Sequence, residues 1–299
     1  MKQCFDDRNR DLLVNINGEL VHRDQAGVSP FDSAVQGGDA VWEGLRLYEG
    51  RIFRLTQHLD RLRASAQALA FTEIPSHSDI TREVARTLGA NAMRDDVHIR
   101  LTLTRGVKYT SGMDPRLNTS GPTLIVLAEH KPPVYDSAGV RLITSGIRRV
   151  PPGSVDQHIH SCNLINSILA KIQANAAGVD DALMLDQRGL VAETNATNVF
   201  VVHRGKVATP LTTSCPEGIT RAAVLDLCAE HGLPNVEREL TLTDVYRSNE
   251  MFCSGTMGEL VPVIEVDGRT IGTGQQGTIT AKLTALFADL VSRSGTRVV

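Results

Sequence analysis

The residues best suited to chemistry lie in one stretch, Gly189 to Thr220. This stretch has a carboxylate, Glu193, near its beginning and ends at Gly218-Ile219-Thr220, where a helical pattern starts. A chain that enters a helix through Gly-Ile-Thr directs unpaired backbone N–H groups at one point, and the threonine hydroxyl adds a further donor. The stretch therefore predicts an acid at one end and a site for an anion, such as a phosphate, at the other.

Pyridoxal phosphate needs both features, because its ring nitrogen pairs with an acid and its phosphate needs a set of donors. Considered alone, Gly218-Ile219-Thr220 is better explained by a strand, a turn and an ordinary capped helix. A second turn of small residues, Ser254-Gly255-Thr256, follows a short apolar strand and offers N–H and hydroxyl groups. Two such turns in the same half of the chain favour a phosphate ligand.

A strand with strict alternation carries another set of candidate groups. In Val97 to Thr104 the apolar residues face one way, and His98 and Arg100 face the other way together with two threonines. A solvated strand face explains this pattern; alternatively, both residues line a pocket in which Arg100 binds a substrate carboxylate. The following loop, Arg105 to Pro122, is rich in Gly, Ser and Pro, contains Lys108, and has the length of a loop that covers a site.

A metal site is conceivable in one segment. Asp156, His158, His160 and Cys162 stand at alternating positions, so an extended segment would place all four on one face. Neighbouring positions on a single strand do not converge easily on a tetrahedral centre. We therefore assign no metal, and the alternative for either histidine is a hydrogen-bonded polar residue at a domain junction.

The order of hairpin and helix signals predicts a mixed α/β fold in two domains. Asn17-Gly18 between two apolar runs predicts a β-hairpin, and a helix is expected from about Thr56. A further helix is expected from Leu164 to Ala177, with Leu164, Ile168, Ile172 and Ala176 buried. The proline pair in 131–134 predicts a stiff linker. The predicted organisation is an N-terminal α/β domain at 1–130, a linker at 131–137, and a C-terminal α/β domain at 138–299 that carries most of the cofactor-binding residues.

Composition excludes several classes of function. The chain has 299 residues, with 31 Lys plus Arg against 34 Asp plus Glu, and this net charge of −3 argues against nucleic-acid binding. The five cysteines form an odd set without paired spacing, which favours a reduced, cytoplasmic protein. We find no signal-peptide pattern and no apolar run of membrane-spanning length, so no membrane association is expected.

The order of several motifs resembles the fold-type IV pyridoxal-phosphate enzymes, the class IV family that includes the branched-chain and D-amino-acid aminotransferases and aminodeoxychorismate lyase. The motifs span nearly the whole chain: Phe53-Arg54-Leu55 with His58-Leu59-Asp60-Arg61-Leu62, Asn163 to Lys171, Glu193 with Asn198-Val199-Phe200, Gly218-Ile219-Thr220, and Ser254-Gly255-Thr256. The resemblance implies two α/β domains with the cofactor between them, and a homodimer.

The resemblance also implies roles for single residues. Arg54, the backbone of Ile219 and Thr220, and the Thr256 hydroxyl would hold the cofactor phosphate. Glu193 would pair with the pyridine nitrogen and keep it protonated, so that the ring accepts electrons.

Further positions match the substrate-binding residues of the branched-chain enzymes. Arg100, with backbone groups of Thr256 and Met257, matches positions that receive the substrate carboxylate. Trp42 falls where that subfamily has an aromatic pocket wall, and His98 lies on the strand face of Arg100. An amino acid or 2-oxo acid of the branched-chain type is therefore the expected substrate.

One departure concerns the lysine that binds the cofactor covalently. In the D-amino-acid aminotransferases this lysine lies three residues before the Asn of the Asn-Leu-Ile-like segment, and counting back from Asn163 gives His160. Imidazole cannot form an imine with an aldehyde. Lys171 and Lys108 are poor substitutes, although Lys108 in its loop is the better placed of the two. Pyridoxal phosphate or pyridoxamine phosphate is therefore expected to bind without a covalent link.

Three hypotheses follow from this departure. The preferred one is an aminotransferase-like enzyme in which His160 is the proton-transfer base, because the ordinary pKa of histidine suits that task. The second is a relative that keeps the fold but has lost transamination, whether as a lyase, a binder of phosphorylated ligands or a non-catalytic protein. The third is an engineered histidine that traps a substrate complex, for which histidine would be an unusual choice.

Overall fold

The computed structural model describes residues 5–133, 135 and 138–299. Its α-helices in chain order are α1 (Ser33–Gly37), α2 (Leu55–Ala68), α3 (His77–Ala90), α4 (Ile165–Ala176), α5 (Ile219–Glu230), α6 (Leu242–Tyr246) and α7 (Thr278–Arg293). Its strands are β1 (Leu13–Ile16), β2 (Glu19–His22), β3 (Ala40–Tyr48), β4 (Arg51–Ile52), β5 (Val97–Thr104), β6 (Thr123–His130), β7 (Val140–Thr144), β8 (Asp181–Leu185), β9 (Val191–Thr194), β10 (Asn198–His203), β11 (Lys206–Thr209), β12 (Asn235–Glu237), β13 (Glu250–Gly255), β14 (Glu259–Val266), β15 (Arg269–Thr270) and β16 (Thr296–Arg297).

The described residues form two compact units. The N-terminal unit contains the chain up to Pro132 together with Ile159–Asn163 and Val291–Val299, and the C-terminal unit contains Pro133–His158 and Leu164–Leu290. The boundaries expected from the sequence stay a prediction, and they left 159–163 and 291–299 with the C-terminal half. Residues 134, 136 and 137 of the expected linker lie outside the described residues.

The N-terminal unit is built on an antiparallel sheet in the order β16-β4-β3-β5-β6-β1-β2. The predicted hairpin is confirmed, because β1 and β2 pair across Asn17 and Gly18, which both have positive φ angles. Helices α2 and α3 pack on the sheet through apolar residues spaced three and four apart. The buried members of this helix face are Leu59, Leu62, Ala66, Ile80, Val84 and Leu88.

Strand β5 lies at the centre of this sheet, between β3 and β6. Its predicted alternation is confirmed, because Val97, Ile99, Leu101 and Leu103 are all fully buried. Burying four such side chains contributes roughly 1.5–3 kcal/mol each. The same alternation puts His98 and Arg100 on the opposite face of a strand that the core holds in register.

The C-terminal unit contains a second sheet in the order β12-β11-β10-β13-β14-β7-β8-β9, with β15 paired to β14. The pairs β11–β12, β14–β7 and β7–β8 are parallel, and the other pairs are antiparallel. Strands β8, β9 and β10 are almost continuously buried, as is expected of strands covered on both faces. The rings of Phe200 and Phe252 stack in this interior with centroids 4.8 Å apart.

Helix α4 differs from the expectation. The predicted buried face is wrong, because Ile168 and Ile172 are 50% and 56% exposed. The helix instead packs on β8 through Ala170 and Ala174, which are fully buried beside Met184. Small side chains allow the helix backbone to approach the sheet closely, and the larger apolar residues are left on the outer face.

Candidate active site

Residues Ile159–Asn163 are held against β3 in the N-terminal unit. Ser161 forms an antiparallel bridge with Val41, and the backbone N–H of Trp42 donates to the His160 carbonyl oxygen at 3.0 Å. The short strand β4 pairs with the last two residues of β3, so this bridge uses an earlier part of the same strand. The bridge places His160 beside the first residues of β3.

The imidazole of His160 has a well-defined environment. Its Nδ1 lies 2.6 Å from the Trp42 carbonyl oxygen and 3.4 Å from Oε1 of Glu43. The ring stacks on the Trp42 indole, with centroids 4.4 Å apart and planes inclined by 23°. The backbone N–H of His160 donates to the hydroxyl of Ser65 on α2 at 3.0 Å. These contacts restrict both the position and the orientation of the ring.

Glu43 is the centre of a buried polar network next to His160. Its side chain is fully buried and accepts two hydrogen bonds of 2.7 Å from the guanidinium of Arg61. His58 Nδ1 lies 2.6 Å from the second carboxylate oxygen. Burial acts to raise the pKa of Glu43, but the charges of Arg61 and His160 outweigh burial and hold that pKa well below its usual range. Burial lowers the pKa of His58, so Glu43 and Arg61 are the ionised pair of the network at neutral pH.

Arg100 lies over the indole of Trp42, with its Cζ 3.5 Å from the ring centroid. Its Nη2 lies 3.9 Å from the sulfur of Cys162. Burial lowers the pKa of Arg100 and raises that of Cys162, so the sulfur is a protonated thiol and a weak acceptor. A partly buried guanidinium with a weak acceptor is well suited to bind a carboxylate.

His98 lies two residues before Arg100 on the same strand face. Burial, reinforced by the charges of Lys131, Arg100 and Arg46, lowers the pKa of His98 to about 3. The ring is therefore neutral at physiological pH. His98 and Arg100 are both partly buried, so this strand face is not fully exposed to solvent, and their role in a pocket stays a prediction.

Arg54 begins α2 from an unusual backbone conformation. It is the N-cap residue, with φ 48° and ψ 38°, in the left-handed region that non-glycine residues rarely adopt. Its guanidinium lies over the ring of Phe53, 5.4 Å from the centroid. Strain of about 1–3 kcal/mol at such a residue is tolerated where the neighbouring structure determines it, often at binding sites.

The acid of the C-terminal unit, Glu193, lies on β9 and is 4% exposed. It is paired with the guanidinium of Arg149, which is 5% exposed. Arg149 also donates to Ser167 Oγ at 3.0 Å and to the Thr194 carbonyl at 3.5 Å, while its Nε is buried without a partner among the described atoms. An adjacent guanidinium stabilises the ionised form of a buried carboxylate, so this site provides a fixed negative charge.

Helix α5 begins at Ile219, as the sequence predicts, and Gly218 precedes it with φ 72°. Gly218, its N-cap residue, has no side chain to cap the first turn, so the N–H groups of that turn are suited to an anion. A Cβ atom at Gly218 would lie 1.9 Å from Oδ1 of Asn198. Thr220, in the first turn, is almost fully buried.

Asn198 connects the two small-residue turns of the C-terminal unit. Its backbone pairs with Ser254 at the end of β13, and its side-chain amide donates to the Pro216 carbonyl at 3.2 Å. Thr256 and Met257 follow Ser254 in the turn to β14 and are partly buried. The Ser254 hydroxyl is buried without a hydrogen-bond partner among the described atoms. Asn198 therefore contacts both the loop that precedes α5 and the strand that leads into the Ser254-Gly255-Thr256 turn.

Glu193 belongs to the same region of the C-terminal unit. The thiol of Cys215, in the loop before α5, has its pKa raised by burial and then by the charge of Glu193, whereas Arg221 and Arg149 act in the opposite direction. An acid, an uncapped helix start and an orphaned hydroxyl are thus grouped in one unit. They fit a phosphorylated pyridine, which needs a carboxylate for its ring nitrogen and several donors for its phosphate.

Both candidate substitute lysines donate to oxygen atoms of their own surroundings. The ammonium group of Lys108 is buried and donates to the Gly112 carbonyl at 2.5 Å, within its own loop. Lys171 donates to the Asp180 carbonyl and to Asp181 Oδ1, the latter at 2.9 Å. Both amines are therefore occupied by oxygen acceptors.

The conceivable metal ligands do not gather. Residues 156–159 contain a turn at 157–158 and are not a strand, and Asp156 pairs with His158, with Oδ1 and Nδ1 2.8 Å apart. Across the described part of the chain, no group of three or more His, Cys, Asp or Glu side chains is placed to hold a metal ion. In the same residues, no helix combines the length and the apolar content needed to cross a bilayer.

Sequence reasoning missed Glu43 and Arg149, and it quoted Arg61 and Asn198 only as members of motifs, without a role. A signal for Glu43 exists, because a carboxylate inside an otherwise apolar strand is seldom buried without a charged partner. Arg149 carries no comparable signal, since it acts on residues that only the folded chain brings near.

The chain is similar to aminotransferases over nearly all its length. The family model for class IV aminotransferases matches residues 40–266. The chain is 51% identical to branched-chain-amino-acid aminotransferase-like protein 2 of Arabidopsis thaliana, with 96% of this chain aligned but only 52% of the relative, so it spans about half the length of that protein. It is 42% identical to a putative branched-chain-amino-acid aminotransferase of Methanocaldococcus jannaschii, over 96% of this chain and 99% of the relative.

Solved structures support the same relationship. The branched-chain amino acid aminotransferase of Escherichia coli superposes with a TM-score of 0.88 at 27% identity, covering 94% of both chains. A second branched-chain amino acid aminotransferase, solved in complex with N-(5'-phosphopyridoxyl)-L-glutamate, gives 0.87 at 30% identity, again over 94% of both chains. The chain therefore belongs to the class IV aminotransferase family and has the mixed α/β fold of its branched-chain members.

Proposed function

We propose that the protein is an aminotransferase-like enzyme that acts on amino acids and 2-oxo acids of the branched-chain type and binds its cofactor without a covalent bond. The observation that supports this most directly is the environment of His160, an imidazole fixed between Trp42 and the ionised Glu43. A fixed, partly buried imidazole is suited to proton transfer.

The proposed cofactor is pyridoxal 5'-phosphate or pyridoxamine phosphate. In the C-terminal unit, Glu193 would hold the ring nitrogen, and the backbone of Ile219 and Thr220 with the Thr256 hydroxyl would hold the phosphate. Arg54 of the N-terminal unit is proposed as a further phosphate ligand. When bound, the protonated pyridine ring supplies an electron sink. The Glu193–Arg149 pair supports this assignment, because a carboxylate that is kept ionised favours a protonated ring nitrogen.

His160 is proposed as the proton-transfer base at the position of the family's lysine. It has no primary amine, so it cannot attach the cofactor covalently. Lys108 and Lys171 are held by oxygen acceptors of their own surroundings, which supports non-covalent binding.

Arg100 is proposed to bind the substrate carboxylate, and Met257 to contribute backbone groups to it. The weak acceptor beside Arg100 supports this, because a carboxylate would satisfy the guanidinium better than a thiol. Trp42 and the neutral His98 would line the same pocket, and an indole with a neutral ring is compatible with an apolar, branched side chain.

A relative that has lost transamination is the second candidate. The occupied lysines favour it, because cofactor exchange without a covalent lysine is expected to be slow. Such a protein would use the same groups as a lyase, as a binder of phosphorylated ligands, or without catalysis.

A titration with pyridoxal phosphate separates the two candidates. We expect saturable binding, seen in the visible absorbance spectrum, that borohydride fails to make covalent, together with slow amino transfer from glutamate to a branched-chain 2-oxo acid. His160→Lys should make the bound cofactor reducible to a covalent adduct. Binding without transfer at high enzyme concentration would favour the second candidate, and the absence of binding would refute the cofactor assignment.

We also propose that the protein is a cytoplasmic homodimer. Helix α4 presents an apolar outer face in the described structure, and its exposed members are Ile165, Ile168, Leu169 and Ile172. An exposed stripe of this kind is typical of a protein interface, and a second copy is the proposed partner. The described cysteines are free thiols, which agrees with a reducing compartment. Sedimentation of Ile168→Glu should show a shift towards monomer that Asn175→Glu, on the same helix, does not show.

A further inference from the structure

The ring nitrogens of His160 have unequal roles. Two oxygen atoms lie near Nδ1, the Trp42 carbonyl at 2.6 Å and Glu43 Oε1 at 3.4 Å. A carbonyl oxygen and an ionised carboxylate only accept hydrogen bonds, so Nδ1 carries the hydrogen. When the ring is neutral, the lone pair therefore lies on Nε2, and Nε2 is the atom that can take up a proton.

Glu43 has the geometry to support this arrangement. A carboxylate has about four acceptor positions. Arg61 uses two of them at 2.7 Å, His58 lies 2.6 Å from the second oxygen, and the remaining direction is towards His160. The carboxylate is thus fixed on three sides and cannot rotate away from the imidazole.

The charges around His160 can be followed group by group. From β3 there is Glu43, from α2 there are Arg61 and the neutral His58, and from β5 there is Arg100, with the protonated thiol of Cys162 beside it. With Glu43 ionised, the negative charge of Glu43 offsets the positive charge of Arg61. Without the Glu43 carboxylate, a protonated His160 would add a positive charge to a partly buried region that already contains the guanidinium groups of Arg61 and Arg100.

We propose that Glu43 is the positioning residue for His160, holding its Nδ1–H tautomer with the Trp42 carbonyl and stabilising the imidazolium, so that Nε2 is the proton-accepting atom. This inference rests on the proposed function, in which His160 is the base. Nε2 accepts the proton from a carbon acid and later returns it, and the electron pair of the broken C–H bond stays with the carbon acid. Glu43 remains ionised throughout and receives no proton, as for carboxylates that orient a catalytic histidine.

A purely structural role is the alternative for Glu43, because its contacts with Arg61 and His58 also join β3 to α2. The two roles differ in what they predict for His160. A purely structural contact affects folding stability, whereas a positioning residue also determines which ring nitrogen of His160 carries the hydrogen.

Nitrogen-15 NMR of the 299-residue chain without added cofactor tests the inference independently of activity. We expect the neutral His160 ring to carry its hydrogen on Nδ1, and Glu43→Gln to increase the fraction of the ring that carries it on Nε2. Glu83→Gln, which removes a carboxylate bound to Asn15 elsewhere in the same unit, is the matched control and should leave that fraction unchanged. A hydrogen on Nε2 in the unaltered protein, or an unchanged fraction in Glu43→Gln, would overturn the inference.

A second variant keeps the test decisive if Glu43→Gln does not fold. Arg61→Gln breaks a contact between β3 and α2 but leaves the Glu43 carboxylate beside His160, so the hydrogen should stay on Nδ1. Movement of the hydrogen to Nε2 in Arg61→Gln would contradict the proposed role of Glu43. If both NMR results hold while amino transfer is absent, the Glu43–His160 pair stands and only the proposed reaction fails.

Discussion

The buried pair between Arg149 and Glu193 provides the sharpest test of the C-terminal unit. Arg149→Met keeps an unbranched apolar stem but removes the guanidinium and its charge. It leaves the carboxylate of Glu193 in an interior where the Glu193 side chain is 5% exposed. Removing one partner of such a pair costs about 3–5 kcal/mol, because the buried carboxylate loses the guanidinium beside it. The lost bond to Ser167 is a further cost of about 0.5–1.5 kcal/mol.

The double variant separates the charge from the packing. In Arg149→Met with Glu193→Gln the buried charge is gone, so the double variant should be more stable than Arg149→Met alone. The coupling free energy should be about 2 kcal/mol or more, which is within the range measured for contacting residues. The assay is urea unfolding followed by circular dichroism, with a common m-value required for the comparison.

A control in the same unit is available in Arg238, whose pair with Asp244 is partly exposed on both sides. Arg238→Met should move the unfolding midpoint little, because solvent screens such pairs. If Arg149→Met costs no more than Arg238→Met, or if the two single effects simply add in the double variant, the carboxylate is not held by Arg149 as described, and the support for Glu193 as a fixed charge is lost.

Three further outcomes are expected. The pKa of His98 is lowered to about 3, so at acidic pH the unfolded chain binds a proton that the folded chain does not. The free energy of unfolding should therefore fall by about 1.4 kcal/mol per pH unit below about pH 6.5. In pH-dependent urea unfolding, His98→Gln should remove that slope. The pKa of Glu43 is held below its ordinary value, so its contribution to folding stability is present above about pH 4.5 and is lost on further acidification. Glu43→Gln should therefore flatten the acid limb of the curve of unfolding free energy against pH. An equally steep acid limb in Glu43→Gln would contradict this contribution. Gly218→Ala should destabilise the protein and weaken pyridoxal phosphate binding, because the added Cβ meets the side chain of Asn198. Gly178→Ala is the control, because Gly178 has a similar φ of 71° but open space around it, so that variant has only the backbone strain. Equal losses of the two variants in thermal unfolding and in absorbance titration would refute the steric argument.

Local patterns were sufficient for much of the fold. The Asn17-Gly18 hairpin, the alternation of β5 and the start of α5 at Ile219 follow from turn chemistry and from hydrophobic period, which act within a few residues. The sequence located helix α4 correctly but predicted the wrong buried face. The helix is apolar on more than one side, and periodicity cannot decide which side packs on the sheet.

The candidate site also has residues that the sequence could predict and residues that only the folded structure revealed. The sequence by itself identified Glu193, the Gly218-Ile219-Thr220 turn and His160, because each is carried by a short motif. The partners that determine what those groups can do are remote in the chain: Arg149 lies 44 residues from Glu193, and Trp42 lies 118 residues from His160. Only the tertiary structure could decide that the Glu193 carboxylate is held by the Arg149 guanidinium and that the His160 imidazole lies beside the Glu43 carboxylate. Burial and charge depend on groups that local sequence does not bring together.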